Sequence, residues 1–334
     1  MTMASLSILS VAPWLEIVIW IAGGVLGIGI FFWLLSCIVA SVIVYDKTLR
    51  RTSPHQWDGD PEHFTPEQLK MDAEGKEWYC ACEPMKHDVH IVNGGLNLYG
   101  EYFDLGYDRA VIVLSGRTDD HRYGYFFAQP YAKAGFNVLV IDARAHGKSD
   151  GEFNTVGFEE SRDALAWARM IHDTFGVRSI IFHGICIGAA AGMLAITAED
   201  CPDYIDGIVA DGMFPNFAES LKNNLIERKK PVFLLYQLVD VRLRHFTGHS
   251  MRYGPINVID RLDKPLLMLH GKKDRYSKPE YAQKLFDLAG SEQKELVWFD
   301  EGTHSMLRYG DAERYDRAIH EYLLKNFEKQ QIIQ

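Results

Sequence analysis

The residue around which chemistry can be organised in this chain is a cysteine between two glycines. The β-rich run SIIFH (179–183) leads into Gly184-Ile185-Cys186-Ile187-Gly188, and the small-residue stretch AAAGMLAIT (189–197) follows with helical character. Strand, tight turn and helix in that order form the context of a nucleophile elbow, G-x-S-x-G, with cysteine where serine would stand. The turn forces its central residue into a strained backbone conformation, and the flanking glycines let strand and helix pass closely. A thiol there needs less activation than a hydroxyl. A few per cent of it is thiolate near pH 7, and a neighbouring imidazolium or a helix N-terminus raises that fraction. A lone buried cysteine after a strand is more often inert packing; the elbow glycines and two partners further along the chain reverse that reading.

These groups must be positioned by regular elements, and the pattern supplies them. HDVHIVN (87–93), Gly94-Gly95 and the alternating LNLYGEYFDL (96–105) read as a β-hairpin. Short β-rich runs then alternate with helical-period segments, the signature of a parallel, doubly wound sheet. Strands are expected at 110–115, 137–142, 179–183, 207–210, 265–270 and 295–299, and helices near 123–134, 159–175, 187–198, 279–289 and 312–327. The segment 216–260 is long, rich in Leu, Phe and Tyr and without a central strand, which reads as a cap inserted over the sheet. No internal repeat is visible.

Four landmarks in order now carry a resemblance. Leu114-Ser115-Gly116 ends the first strand after the hairpin, Asp142-Ala143-Arg144-Ala145-His146-Gly147-Lys148-Ser149 resembles a D-x-R-G-H-G-x-S turn, His270-Gly271-Lys272-Lys273-Asp274 ends a later strand, and Gly302-Thr303-His304 follows the last one. With the elbow, residues 75 to 328 resemble the α/β-hydrolase superfamily, especially bacterial single-pass members, with a cysteine nucleophile of the dienelactone-hydrolase kind. The resemblance implies an α/β fold: a mostly parallel doubly wound sheet with an N-terminal antiparallel hairpin and a short helical cap. It also implies Cys186 as nucleophile, His304 as general base and then acid, and Asp274 as the acid that orients the imidazole, in the superfamily's order. Asp211, which follows another strand, is the competing acid. Backbone N–H groups of Arg117 and Ile187 would form the oxyanion hole. Asp142 and His146 are better read as structural turn residues. Ser115 in place of histidine and Ala145 in place of glycine depart from the family's pattern at the mouth of the site.

The apolar residues Phe214, Phe217, Phe233, Leu234 and Tyr236 read either as walls of an acyl pocket or as ordinary core under the cap. Lys222, Arg228, Lys229, Lys230, Arg242 and Arg244 read either as a surface for anionic headgroups or an acidic substrate, or as a solvated helix face. The function implied is hydrolysis of an ester or thioester of a small-molecule acyl substrate through an acyl-thioester intermediate, carboxylesterase- or thioesterase-like. An acyltransferase using the same triad is the alternative. A membrane-tethered binding or scaffold protein that has lost activity is a third reading, against which the retained histidine and acid speak. A peptidase is less well supported, since nothing indicates a peptide-binding domain.

From Ile17 to Tyr45 no residue is charged, more than the ~20 residues needed to cross a bilayer. A transmembrane helix over 17–45 is expected, preceded by a short segment 1–16 and followed by a juxtamembrane linker 46–76, the hydrolase domain 77–328 with its cap at about 214–260, and a tail 329–334. A cleaved signal peptide is the weaker reading, because no Lys or Arg precedes the run and no clean cleavage site follows it. Lys47, Arg50 and Arg51 follow the run and only Glu16 precedes it, so the positive-inside rule puts the hydrolase domain on the cytoplasmic side of the cell membrane. Gly23 and Gly27 form a small-xxx-small pair on which two such helices could dimerise, although glycine is common in membrane helices anyway. Hydrophobic residues make up 47% and the formal net charge is −10, with no basic cluster interleaved with aromatics, which argues against nucleic acid as a partner. The five cysteines, Cys37, Cys80, Cys82, Cys186 and Cys201, have no disulfide-ladder spacing. Cys80 and Cys82 lack a matching pair for a metal, and no feature demands a metal or organic cofactor.

Overall fold

The computed structural model describes residues 13–53 and 64–327. Most of the expected N-terminal segment (1–12), the tail 329–334, and Pro54 and Pro61 of the expected linker lie outside the described residues.

A hairpin opens the sheet. Strands β1 (Lys86–Asn93) and β2 (Leu96–Phe103) pair antiparallel around Gly94 and Gly95, whose φ values of 57° and 78° are the left-handed ones a two-residue hairpin turn needs. Strands β3 (Arg109–Leu114), β4 (Asn137–Ile141), β5 (Ser179–Ile185), β6 (Ile205–Asp211), β7 (Leu266–Gly271) and β8 (Lys294–Phe299) follow, in the sheet order β1-β2-β4-β3-β5-β6-β7-β8. From β4 to β8 every pairing is parallel, and β2 joins β4 antiparallel. This is the α/β-hydrolase fold.

Along β3 the side chains alternate between two cores. Val111 and Val113 join the layer under helices α3 (His121–Lys133), α9 (Leu307–Gly310) and α10 (Ala312–Phe327). Ala110, Ile112 and Leu114 join the layer under α4 (Phe158–Phe175), α5 (Ile187–Ile196) and α8 (Pro279–Leu288). A strand covered on both faces has no room for a polar side, hence the unbroken apolar run.

Helix α2 (Pro66–Cys82) crosses the expected linker–domain boundary at 76/77. Met71, Gly75 and Trp78 form its buried stripe, and a Cβ at Gly75 would stand 3.1 Å from the Phe126 amide nitrogen of α3, so the helix is part of the domain's core. The cap comprises α6 (Phe217–Glu227) and α7 (Leu235–Thr247), followed by 3-10 turns at Pro255–Asn257 and Ile259–Arg261.

Among the described residues one helix, α1 (Pro13–Thr48), is long and apolar enough to cross a membrane. Its two parts differ. Residues 13–36 are exposed, about 36 Å at ~1.5 Å per residue. After them Cys37, Ser41, Tyr45 and Leu49 are buried at intervals of four, a stripe packed on the domain together with Val239 and Leu243 of α7. The chain then docks further: Asn154 N–H donates to Leu49 O (2.8 Å), Arg51 N–H to Glu152 O (2.7 Å), and the Arg51 guanidinium to the carbonyls of Ser149 and Gly147 (2.9 and 2.8 Å). The apolar run read as a span of 17–45 therefore divides into a free part and a packed part.

Candidate active site

Cys186 sits between β5 and α5 at φ 54°, ψ −109°, a left-handed conformation that costs a non-glycine residue about 1–3 kcal/mol. The surroundings enforce it. The Cys186 N–H donates to Asp211 O on β6 (2.9 Å), and Ala190 N–H donates to Cys186 O (3.2 Å). A Cβ on Gly184 would lie 2.4 Å from backbone atoms of Ala189, and one on Gly188 would lie 1.9 Å from Leu114 O, so both glycines are required by close approach. The thiol is half-buried.

His304 lies in the loop after β8 and Asp274 in the loop after β7. Lys273 N–H donates to Gly302 O (3.0 Å), which ties the two loops together. Asp274 is buried, and its carboxylate is fully used: one oxygen accepts the amides of Tyr276 and Ser277, both at 2.8 Å, and the other meets His304 Nδ1 at 2.7 Å. That leaves Nε2 of His304 for the thiol side. Burial opposes a charge on His304, but the adjacent Cys186 and the Asp274 carboxylate outweigh it and hold the imidazole well above its ordinary pKa.

Asp211, the competing acid, does not meet His304. Its carboxylate accepts from Tyr315 O–H (2.8 Å), and that hydroxyl also lies 3.1 Å from His183 Nε2. Burial pushes Asp211 up to about 7, although Tyr315 and His304 act in the opposite sense.

Arg117 and Ile187 flank the thiol. Ile187 opens α5, so its N–H has no partner within the helix. The turn bearing Arg117 lies alongside, since a Cβ on Gly116 would stand 3.9 Å from Cys186 Cβ. Burial lowers the Arg117 guanidinium from its usual value against the charges of Cys186 and Asp119. Phe214 and Phe217 are buried in one apolar cluster with Ile187, Leu221, Leu225 and Leu235, against which Cys186 and Tyr236 pack. Phe233 is no pocket wall. It is 71% exposed and stacks on Trp33 of α1, with ring centroids 5.9 Å apart, because the α6–α7 loop turns it away from the sheet.

The turn after β4 holds itself together. Asp142 accepts the amides of His121 (2.7 Å) and Lys148 (2.8 Å), and His146 Nδ1 lies 2.8 Å from Arg144 O, with burial lowering that imidazole to about 4. Ala145, where the resembling turn has glycine, takes φ 62°. Two groups near the site gave no signal in the sequence. Burial, with Asp120 adding to it, pushes Asp119 up to about 7 against the charges of Arg117 and His304. Tyr123 O–H donates to Ser305 O (3.0 Å) and fastens α3 to the histidine loop. Both come from RTDDHRY (117–123), which has no spacing that marks it.

A family model of the alpha/beta hydrolase fold matches residues 109–251, and a model described as serine aminopeptidase, S33, matches 254–311. The uncharacterized protein YqkD of Bacillus subtilis is 29% identical over 216 residues, 64% of this chain and 70% of YqkD. The lysophosphatidylserine lipase ABHD12 of Danio rerio is 23% identical over 233 residues, 68% of this chain but only 54% of that protein. Among solved structures, the Pyrococcus furiosus esterase Pf2001 superposes with a TM-score of 0.60 at 25% identity, over 79% of this chain and 94% of the esterase. Together with the sheet order these matches support membership of the α/β-hydrolase superfamily, with esterase- and lipase-like neighbours.

Proposed function

We propose that this α/β-hydrolase-fold chain is a membrane-anchored hydrolase of esters or thioesters, with Cys186 as nucleophile, His304 as base and acid, and Asp274 as the group that holds the imidazole. The observation that carries the reading is the His304 Nδ1 to Asp274 contact of 2.7 Å in a loop pair that brings the imidazole against a cysteine held at φ 54°. Cys186 sulfur attacks the acyl carbon, a C–S bond forms, and the carbonyl electron pair moves onto oxygen, facing the amides of Ile187 and Arg117. Collapse of this intermediate breaks the bond to the leaving oxygen or sulfur, which takes a proton from His304 Nε2. Water then attacks the acyl-thioester while His304 accepts its proton. The carboxylic acid departs and the thiolate returns. Phe214, Phe217 and Tyr236 are the side chains proposed to receive the acyl group.

α1 serves as a single-pass anchor, with the hydrolase domain on the cytoplasmic side by the charge asymmetry of Lys47, Arg50 and Arg51. At Gly23 and Gly27 an added Cβ would meet nothing within 4 Å, so the proposed helix-pairing face is open in one copy of the chain.

Intact-protein mass spectrometry of the full-length protein in detergent, incubated with p-nitrophenyl esters of graded chain length, tests the chemistry. The expected result is an acyl increment and p-nitrophenol release with the wild type and neither with Cys186→Ala. Release that persists unchanged in Cys186→Ala removes the assigned nucleophile.

A further inference from the structure

The α6–α7 loop carries an unusual composition for a surface facing water. Arg228, Lys229 and Lys230 are exposed and are followed by Pro231, Val232 and Phe233, of which Phe233 is largely bare. None of the three cations has an ion pair among the described residues. Exposed apolar side chains continue nearby at Ile226 and Val241.

The level of this loop along α1 is fixed by one contact. Phe233 stacks on Trp33 with an interplanar angle of 18°, and Trp33 stands one turn before the end of the exposed stretch 13–36. That stretch, about 36 Å long, slightly exceeds the ~30 Å hydrocarbon thickness of a bilayer. With α1 as the anchor, Trp33 falls at the boundary between acyl chains and headgroups, where tryptophan is favoured. Phe233 is beside it, and the three cations lie on the adjoining turn.

We infer that the α6–α7 loop of the cap is itself seated in a phospholipid leaflet, with Phe233 among the outer acyl-chain carbons and Arg228, Lys229 and Lys230 among the headgroup phosphates. The inference rests on α1 being a membrane anchor. It gives the protein a second, monotopic contact with the same leaflet and brings the cap that covers Cys186 to the depth at which the ester groups of membrane lipids lie. Substrate of that class reaches the cap without crossing water.

A fluorine probe separates this from the anchor reading. Trifluoromethyl-phenylalanine is introduced singly at Phe233, at Ile28 in the exposed part of α1, and at Val92, which is 76% exposed on the far hairpin. The full-length protein is placed in phospholipid nanodiscs, and 19F line broadening is measured with a nitroxide-bearing phospholipid and with a water-soluble gadolinium chelate. The expected result is that 233 follows 28, broadened by the lipid nitroxide and spared by gadolinium, while 92 shows the reverse. If 233 follows 92 while 28 remains lipid-exposed, the anchor stands and the leaflet contact is overturned. If 28 itself is broadened by gadolinium, the anchor reading fails and the inference with it.

Discussion

Replacing Asp274 by asparagine tests the site at the residue on which its geometry turns. The side chain keeps its shape, and its oxygen can still accept the amides of Tyr276 and Ser277 at 2.8 Å, so the loop after β7 should hold. What disappears is the negative charge 2.7 Å from His304 Nδ1. With charge centres roughly 4 Å apart at an effective dielectric of about 20, that attraction is worth about 4 kcal/mol, a factor of roughly 10³ in rate. The asparagine amide also faces Nδ1 with a donor and favours the wrong imidazole tautomer, which brings the expected loss toward ~10⁴ in kcat. Initial rates with a p-nitrophenyl ester, across pH 5 to 9, read it directly, with thermal unfolding in parallel to exclude misfolding. The imidazole should also titrate lower than in the wild type, since one of the groups holding it up is gone. A folded Asp274→Asn protein within tenfold of wild type, alongside an Asp211→Asn protein that loses ~10³ or more, would refute the assignment of the acid.

Two further outcomes follow from burial. Asp211 binds its proton up to about pH 7 in the folded chain, against ~3.9 for an exposed aspartate, so the folded state holds that proton more tightly and stability declines as pH rises from about 4 to about 7. The full effect is bounded at roughly 4 kcal/mol. Asp211→Asn should gain stability over wild type at pH 8 relative to pH 4, and melting curves with the same gap at both pH values would contradict this. Leu49 is fully buried where α1 meets the domain. Leu49→Ala should cost about 2–5 kcal/mol in unfolding of the full-length protein in detergent, and a loss under ~1 kcal/mol would show that the packed end of α1 contributes little.

The fold was legible in the sequence because each part is local. Gly94-Gly95 permits one kind of turn, the elbow glycines are required by backbone approach at Ala189 and Leu114, and β3 is apolar on both sides because it is covered on both. Which aspartate meets His304 could not be read locally. Asp211 and Asp274 both follow strands, and only the stitching of the 273 and 302 loops selects the partner of His304. Contacts between distant apolar surfaces were equally hidden. α1 is apolar all round, so nothing in its pattern distinguishes Cys37, Ser41, Tyr45 and Leu49, which face protein, from residues that face outward. α2 shows only a thin stripe of Met71, Gly75 and Trp78 among charges, which reads as the end of a linker. Phe233 read by type as a pocket wall or a core residue, and its placement depends on a loop with left-handed residues at Lys229 and Leu234.

The docking of α1 bears on how freely this protein can turn. A catalytic domain on a slack tether samples every orientation above its membrane, and only a fraction of those presents the mouth of the site to the surface. Here Leu49, Arg51 and Tyr45 join helix and domain within a few residues. The pose of the domain is thereby set when the chain folds, before any substrate arrives. Rotational entropy that a tethered enzyme would lose at each encounter is surrendered once, during folding. With α1 as the proposed anchor, the search for substrate becomes lateral diffusion in two dimensions at a fixed attitude.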